Sequence, residues 1–412
     1  MVFRKFKDKF HAYLNKADFD HRQRQIDPLE YHSMFITLAT LFNVMDYEKI
    51  SWHISPIFIF VGGLSAGTLF LISVVHYVQI FQIYYLTECG TYLLMMGLQL
   101  LVNFSIKRGK KNYHNLLQAL REDFQYIFSK RAQKYRDQFF ENQLLTFRGC
   151  IAAVIMTYCT AGGMIICFFI TAPIVNKGND VRLLMFPYWI FDKDLQASPA
   201  YEIVNCISLV IILMYAYLYM FLLISYIVWI RAITCKADII NWNLQDLMVD
   251  VLPANNNEEK DYYAKVIKHR MREILVMHHS MLKLIDDFAA VFKMGLFYEQ
   301  VMASPVICMT GYCFTAKYEQ GEIEVFLLVL CVGSCVVVFV PNFLCTHLLE
   351  KVQSVSDACW DMPFWNAGPV IRSYLVLMMQ RSIRPLPIAA AGFDNVSLQT
   401  YSTVNLFMIL IF

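Results

Sequence analysis

Charged residues are scarce in this sequence, and hydrophobic residues are unusually common. Asp, Glu, Lys and Arg make up only 17% of the 412 residues, whereas hydrophobic residues make up 58%. Soluble globular domains carry about 25% charged residues. So little charge cannot cover the surface of a soluble globular protein of this length. The composition therefore predicts a chain that crosses a membrane several times.

The motifs of soluble enzymes and of metal sites are also missing. The sequence contains no HExxH, P-loop or GxGxxG pattern and no CxxC pair. His278 and His279 are adjacent, so on a helix they point about 100° apart and cannot form an i, i+4 metal pair. We expect both on the surface. No basic patch with interleaved aromatic residues occurs outside the expected inner loops. We therefore expect no enzymatic activity, no cofactor, no metal and no nucleic-acid partner.

Two of the twelve cysteines are candidates for a disulfide bond. Most of the others lie in apolar stretches, where a cysteine usually behaves as a small hydrophobe. Cys89 and Cys313 fall near the expected outer surface, which faces an oxidising compartment. A disulfide between them is an option that the sequence leaves open, because connectivity is not readable from spacing alone.

Seven apolar stretches divide the chain. Each is long enough to cross about 30 Å of hydrocarbon, which needs roughly 20 helical residues. They cover residues 56–83, 86–106, 149–175, 203–230, 288–316, 325–349 and 370–412. The sequence therefore predicts an all-α fold, a seven-transmembrane helical bundle.

Lysine and arginine crowd into alternate gaps between these stretches. Residues 1–55, 107–148 and 231–287 are rich in both, whereas the other gaps hold few. The positive-inside rule then predicts a cytoplasmic N-terminus and an extracellular C-terminus, the reverse of a G-protein-coupled receptor. The expected organisation is a cytoplasmic segment at 1–55, transmembrane helices one to four at 56–230, a cytoplasmic loop and helical anchor at 231–287, and helices five to seven at 288–412.

An apolar stripe runs through the inner loop before the fifth stretch. It recurs at helical spacing and continues into the membrane without a breaker, which predicts one long helix. The stripe consists of Ile267, Met271, Ile274, Leu275, Leu282, Ile285 and Phe288. Two alternatives stay open: packing on its own subunit, or a subunit anchor, for which Ile274 and Phe288 are the candidates. Glu299 either marks an ion path or simply faces water.

The seventh stretch is interrupted. Arg381, Arg384, Pro385 and Pro387 lie in its middle, and proline removes a backbone donor and clashes with the preceding turn. One continuous helix is therefore excluded. We expect the seventh helix to be split in two, with an inner segment around 370–380 and an outer segment from Asn395 onward.

Three sequence stretches carry a family resemblance. The stretch QRSIRPLPIAAAGFDNVSLQTYSTV resembles the seventh-helix signature of insect odorant receptors, and LLEKVQSVSDACWDMPFWNAGPVIRSYLVLMM resembles the preceding connection in that family. The loop FPYWIFDKDLQASPAYEI is similar to the family's aromatic loop between helices three and four. The sister family of gustatory receptors ends in a Thr-Tyr motif closed by Gln-Phe. Here Thr400 and Tyr401 occur, but no Gln-Phe follows.

The resemblance implies a subunit of a ligand-gated, non-selective cation channel in the plasma membrane, multi-pass and located in the dendrite of a sensory neuron. In that family a tuning subunit assembles with a shared odorant co-receptor into a hetero-tetramer within membrane lipid. The co-receptor has a longer loop between helices four and five, so this chain resembles a tuning subunit. A gustatory-type chemoreceptor channel is the alternative, and a secondary transporter is a weaker one, since no internal repeat is visible.

The family's pore is lined by the last half-helix of each subunit. Family members usually continue with a Ser-Tyr-Ser-Tyr-Phe segment, whereas this chain passes from Val404 directly to NLFMILIF. We therefore expect the outer gate to be altered or truncated, or to be formed by the pore candidates Leu406, Ile409 and Ile411.

The resemblance also implies where a volatile small-molecule odorant binds. In the family the pocket lies in the outer half of the bundle, among helices two to five. Small apolar ligands favour aromatic and methionine side chains, with a few polar groups for orientation. The candidates are Tyr92, Met95, Met96, Met164, Phe168, Phe169, Met214, Tyr215, Met309 and Tyr312. Each of them has the alternative role of packing or facing lipid.

Overall fold

The fold was analysed in a computed structural model of the whole chain. It describes residues 9, 11–16, 18–19, 22, 24–44, 56–130, 133–178, 182–191, 193–249, 257–321, 325–362, 371–384, 397–399 and 402. Every regular element in these ranges is a helix.

Ten helices follow one another along the described residues. They are α1 (Pro28–Tyr31), α2 (Ser33–Leu41), α3 (Pro56–Gln79), α4 (Ile83–Arg108), α5 (Lys110–Lys130), α6 (Gln133–Gly178), α7 (Ala200–Gln245), α8 (Asn257–Glu319), α9 (Val325–Asp361) and α10 (Arg372–Ile383).

Five of these helices are long and apolar enough to cross a membrane. The corresponding segments are Ile59–Gln79, Ile83–Arg108, Gln133–Ile174, Ala200–Gln245 and Val325–Asp361. They correspond to five of the seven predicted apolar stretches. The fifth predicted stretch lies in the second half of α8, and the seventh begins at α10.

Several helices extend well beyond their apolar stretch. The longest, α8, has 63 residues, which corresponds to about 95 Å of helix at 1.5 Å per residue. It is the single continuous helix that the stripe predicts. The N-terminal half of α6, the C-terminal parts of α7 and α9 and the first half of α8 meet at one end of the bundle. The loop of residues 182–191, which connects the other ends of α6 and α7, is therefore at the opposite end.

An aromatic core holds the helix extensions together. Trp229 on α7 is fully buried, and its indole Nε1–H donates to the carbonyl oxygen of Leu284 over 3.2 Å. Its ring centroid lies 5.0 Å from that of Tyr113 and 5.5 Å from that of Phe292. Because α5, α7 and α8 each contribute a ring, this cluster fixes their mutual positions at that end of the bundle.

The anchor candidates lie in this core. Ile274 is 2% exposed and Phe288 is fully buried within the single chain. Both side chains therefore pack on their own subunit in this structure. The anchor role that the sequence assigns to Ile274 and Phe288 stays a prediction.

The break in the seventh stretch occurs where the prolines predict it. Helix α10 ends at Ile383, and Arg384 is extended, with φ −64° and ψ 144°. Residues before a proline favour this conformation. Most of the predicted outer segment lies outside the described residues. Within the described part, the backbone N–H of Leu398 donates to Thr346 Oγ1 of α9 over 2.9 Å.

The expectation that both adjacent histidines lie on the surface is half wrong. His279 is exposed, but His278 is buried between α8 and α10. Its Nε2 atom lies 3.1 Å from Ser382 Oγ. Sequence spacing does not reveal which face of α8 is covered by α10. The sequence alone therefore could not show that His278 is buried and His279 is exposed.

Candidate ligand-binding site

A cavity of about 100 Å³ lies between the helices near the 182–191 loop. A site for one buried water needs roughly 10–15 Å³, so this cavity has room for a small organic molecule. Its wall is formed by Phe70, Tyr92, Met95, Met96, Met156, Thr157, Thr160, Ala161, Met164, Phe186, Ile211, Ile212, Tyr215, Ala216, Tyr219, Leu330, Gly333, Ser334 and Val337. The wall is almost entirely apolar, as sites for small apolar ligands are.

An aromatic cluster forms the roof of this cavity. Phe186 comes from the 182–191 loop, and its ring centroid lies 4.6 Å from that of Tyr92 and 5.5 Å from that of Phe70. Both pairs are edge-to-face, an arrangement that aromatic rings favour. The loop therefore continues the wall that α3 and α4 begin.

Hydrogen bonds and ring stacking hold the loop on the helices. The carbonyl oxygen of Pro187 accepts from Cys89 Sγ over 3.2 Å and from the Tyr77 hydroxyl over 3.3 Å. The backbone N–H of Trp189 donates to Ser73 Oγ over 3.0 Å. The Trp189 ring stacks on His76 with centroids 3.9 Å apart. The roof is thus fixed to α3 and α4 at several points.

The contact with Pro187 also decides the disulfide hypothesis. Cys89 is a free thiol and donates to that carbonyl oxygen. Cys313 Sγ lies 3.1 Å from Thr87 Oγ1. The proposed Cys89–Cys313 disulfide is therefore not formed in this structure.

Six hydroxyl-bearing side chains line the cavity, and five of them donate to protein acceptors. Tyr92 donates to Glu88, and Tyr219 donates to the carbonyl oxygen of Val337. The hydroxyls of Thr157, Thr160 and Ser334 bond to carbonyl oxygens of the preceding helical turn. The sixth, Tyr215, has no hydrogen-bond partner among the residues that the structure describes. Its hydroxyl is therefore available to a ligand.

The structure brings together half of the ten predicted ligand-binding residues. Tyr92, Met95, Met96, Met164 and Tyr215 line the cavity.

The other five candidates lie elsewhere. Phe168 is buried beside the cavity without lining it, and Met214 lines a neighbouring groove between α3, α4 and α7. Met309 packs against Gly90. Phe169 and Tyr312 are exposed on the outside of the bundle.

The sequence analysis did not predict one wall of the cavity. Helix α9 contributes Leu330, Gly333, Ser334 and Val337, whereas the expectation placed the pocket among helices two to five. The adjacent Gly333 and Ser334, small residues within an apolar helix, are the signal that could have found it. Small residues let other groups approach a helix closely.

The pore candidates Leu406, Ile409 and Ile411 lie outside the described residues, and their role stays a prediction. Glu299 lies inside the bundle and does not face water, since it is only 4% exposed. In the part of the chain that the structure describes, no three His, Cys, Asp or Glu side chains are grouped so that they could hold a metal ion.

Comparison with curated proteins gives consistent relatives. This chain is 25% identical to "Odorant receptor 67c" of Drosophila melanogaster over 166 residues, which are 40% of this chain and 39% of that protein. It is 24% identical to "Putative odorant receptor 85d" of the same organism over 132 residues, or 32% of each chain. These alignments thus span less than half of the relatives' length.

Comparison with solved structures shows the fold. The insect olfactory receptor OR5 from Machilis hrabei matches with a TM-score of 0.67 at 12% identity, over 94% of this chain and 98% of that chain. The same receptor in complex with eugenol matches with a TM-score of 0.71 at 12% identity, over 93% and 98%. The prediction of an all-α, seven-transmembrane helical bundle is therefore confirmed.

The family match covers most of the chain. Residues 98–408 match the family described as 7tm Odorant receptor. This family consists of receptors, which confirms the prediction that the chain is not an enzyme. The chain belongs to the 7tm Odorant receptor family and is a membrane receptor.

Proposed function

We propose that this chain is the tuning subunit of an odorant-gated, non-selective cation channel and that it binds small volatile molecules in the cavity beneath Phe186. The observation that carries the proposal is an apolar cavity between the helices in which Tyr215 alone, among the described hydroxyls of the wall, has no protein partner. An apolar volatile fills such a space, and one hydrogen bond from Tyr215 orients its carbonyl, ester or hydroxyl oxygen. The eugenol bound by the solved relative is a ligand of this kind.

Helix α9 offers a route from the cavity to the terminal segment. Ser334 and Val337 line the cavity, and three turns further along the same helix Thr346 accepts a hydrogen bond from the backbone of Leu398. A ligand that binds better when α9 is displaced would shift the population toward that state. The terminal segment beyond Leu398 contains Leu406, Ile409 and Ile411, which we propose as pore residues.

Assembly with odorant co-receptor subunits into a hetero-tetramer would use the helix extensions. Val276 on α8 and Leu377 and Ile383 on α10 are apolar and exposed. Exposed apolar side chains on helices that extend beyond the membrane are candidates for a contact with another protein. We therefore assign the subunit anchor to these three side chains, with the extensions in the cytoplasm and the channel in the plasma membrane of a sensory dendrite.

Two adjacent residues of α6 give a matched test of the cavity. Ala161 lines the cavity, whereas a Cβ built on Gly162 meets no atom within 4 Å. Replacing Ala161 with leucine should fill ligand space, and replacing Gly162 with leucine should leave the cavity unchanged. Both variants would be co-expressed with the odorant co-receptor, and currents would be recorded across a panel of volatiles.

We expect Ala161→Leu to raise the half-activating concentration about tenfold or more, since overpacking of this kind costs roughly 1–3 kcal/mol. Gly162→Leu should respond as the wild type does. Surface labelling would confirm that both variants reach the membrane. Equal responses of Ala161→Leu and wild type to every volatile would place ligand binding outside this cavity.

A further inference from the structure

A second, smaller cavity adjoins the ligand cavity on the side of α8. It has a volume of about 50 Å³. Met95, Tyr215 and Ser334 line both cavities, so these side chains form the partition between them. A ligand that occupies the main cavity can therefore reach the smaller one by displacing few atoms.

Glu299 is the polar group of the smaller cavity. It lines the cavity, is 4% exposed, and both of its carboxyl oxygens lack a hydrogen-bond partner among the described residues. No ion pair to it is formed within this part of the chain either. A buried carboxyl group without a partner is costly, and most buried polar groups in proteins are hydrogen-bonded. The Glu299 carboxyl group can therefore form a hydrogen bond with a partner that the described part of the chain does not supply.

Two of the three hydroxyls that line the smaller cavity are engaged elsewhere, and the third, that of Tyr215, forms no hydrogen bond with Glu299. Tyr298 donates to the carbonyl oxygen of Leu94 over 2.9 Å. A Cβ at Gly97 would clash with the Tyr298 hydroxyl, so only glycine there permits this contact. Ser334 donates to the carbonyl oxygen of Leu330 over 2.8 Å. Neither hydroxyl hydrogen is therefore left for Glu299.

We propose that Glu299 forms a polar sub-site that recognises a hydrogen-bond-donating head group, a hydroxyl or an amine, on a ligand whose apolar body lies in the main cavity. This inference rests on the proposed function of that cavity. A hydroxyl donates one hydrogen bond to a carboxyl oxygen, and an ammonium group donates a charge-assisted one. Tyr215 lies in both walls and orients an oxygen of the same ligand. An ether of equal size has no hydrogen-bond donor and should therefore bind more weakly.

Three small compounds of equal size test the sub-site: hexanol, hexylamine and methyl pentyl ether. Binding to the purified full-length chain in lipid nanodiscs would be measured through the ligand-induced rise in Tm. For the wild type we expect hexanol and hexylamine to bind about tenfold more tightly than the ether, because the ether leaves the buried carboxyl oxygen without a hydrogen bond.

Two substitutions at Glu299 distinguish recognition of the hydroxyl group from recognition of the amine. Glu299→Gln keeps a carbonyl oxygen that accepts from a hydroxyl, but an amide cannot form an ion pair with an ammonium group, so the preference for hexylamine should fall while that for hexanol is retained. Glu299→Leu removes every acceptor, so both preferences should vanish. The leucine variant should fold, because replacing an unpaired buried carboxyl with an apolar side chain removes a burial cost. The control is Gly162→Leu, which lies in neither cavity wall and should keep both preferences.

The ether serves as the internal reference in each variant. If Glu299 only stabilised the fold or acted on ion flow, all three affinities would shift equally or not at all, and the sub-site would be disproved. If none of the three compounds raised the Tm of the wild type, the ligand cavity itself would be disproved. These outcomes distinguish an error in the sub-site from an error in the proposed function.

Discussion

The Nε2 atom of His278 lies 3.1 Å from the Oγ atom of Ser382, and this contact joins the middle of α8 to the last turn of α10. Ser382 is two residues before Arg384, where the chain leaves the helix. Burial, together with the charges of Arg381 and His279, lowers the pKa of His278 from 6.5 to about 4. His278 is therefore neutral in the folded protein at physiological pH.

We predict that this histidine makes the fold acid-sensitive. Between pH 6.5 and about 4 the unfolded chain takes up a proton at His278 and the folded chain does not, so stability should fall as the pH falls. The full effect is on the order of 3 kcal/mol. Thermal unfolding of the purified protein, followed across this pH range, should show a smaller loss for His278→Gln than for the wild type.

His279 provides the control for this experiment, because it is adjacent and exposed. His279→Gln should retain the wild-type pH dependence. A second buried histidine, His32, bonds to Gln143, and burial lowers its pKa to about 4. Some acid sensitivity should therefore persist in His278→Gln and become smaller when His32→Gln is added. An unchanged slope in the double variant would contradict the prediction.

The elements of the fold were predictable from the sequence because each depends on a local property. Apolar length marks the membrane helices, Pro385 marks the end of α10, and the unbroken stripe marks the continuity of α8. Side-chain partners depend on how each helix is rotated against its neighbours. Met95 and Met96 both reach the cavity, whereas the adjacent Phe168 and Phe169 do not. Periodicity identified the stripe of Ile274 and Phe288 but not the surface that covers it.

A buried ion pair between α5 and α7 gives a second prediction. Lys236 Nζ lies 2.6 Å from Asp123 Oδ1, and the two side chains are 3% and 12% exposed. Lys236→Met should lower stability by about 3–5 kcal/mol, because it leaves a buried carboxyl group unpaired. Adding Asp123→Leu should restore much of the loss. Thermal unfolding of the single and double variants would measure both effects.

A less buried ion pair serves as the comparison for Lys236 and Asp123. Lys351 Nζ lies 2.7 Å from Asp238 Oδ1, with side chains 34% and 15% exposed. Lys351→Met should cost less than Lys236→Met, since water can solvate the remaining carboxylate. If the double variant at Asp123 and Lys236 were as unstable as the single variant, the unpaired charge would not be the cause of the loss.

The third prediction concerns the assembly surface. Val276 is 65% exposed and Leu377 is 61% exposed, whereas Ile274 is buried. Replacing Val276 and Leu377 together with aspartate should lower co-purification with the odorant co-receptor, because a partner would have to bury two charges. The isolated subunit should keep the wild-type Tm. Co-purification at the wild-type level would remove these residues from the anchor.

Ile274→Asp is the counterpart of that double variant. It places a charge in the core formed by α7 and α8, so the isolated subunit should lose several kcal/mol of stability before any partner is added. A wild-type Tm for Ile274→Asp would mean that its burial within the single chain is wrong.

The last prediction concerns orientation. Helix α5 and the extensions of α6, α7, α8 and α9 are rich in lysine and arginine, and they meet at one end of the bundle. The loop that carries Phe186 is at the opposite end, where cations are few. The positive-inside rule places the extended end in the cytoplasm.

An epitope tag at Met1 should therefore be hidden from antibody on intact cells, whereas a tag inserted after Ala197, an exposed loop position, or one at the C-terminus should be stained. Permeabilised cells should stain with all three, which shows that each tagged chain is expressed. Staining of the Met1 tag on intact cells would reverse the orientation, and the cavity would then lie in the inner half of the membrane, where a volatile arriving from outside would have to cross the bundle to reach it.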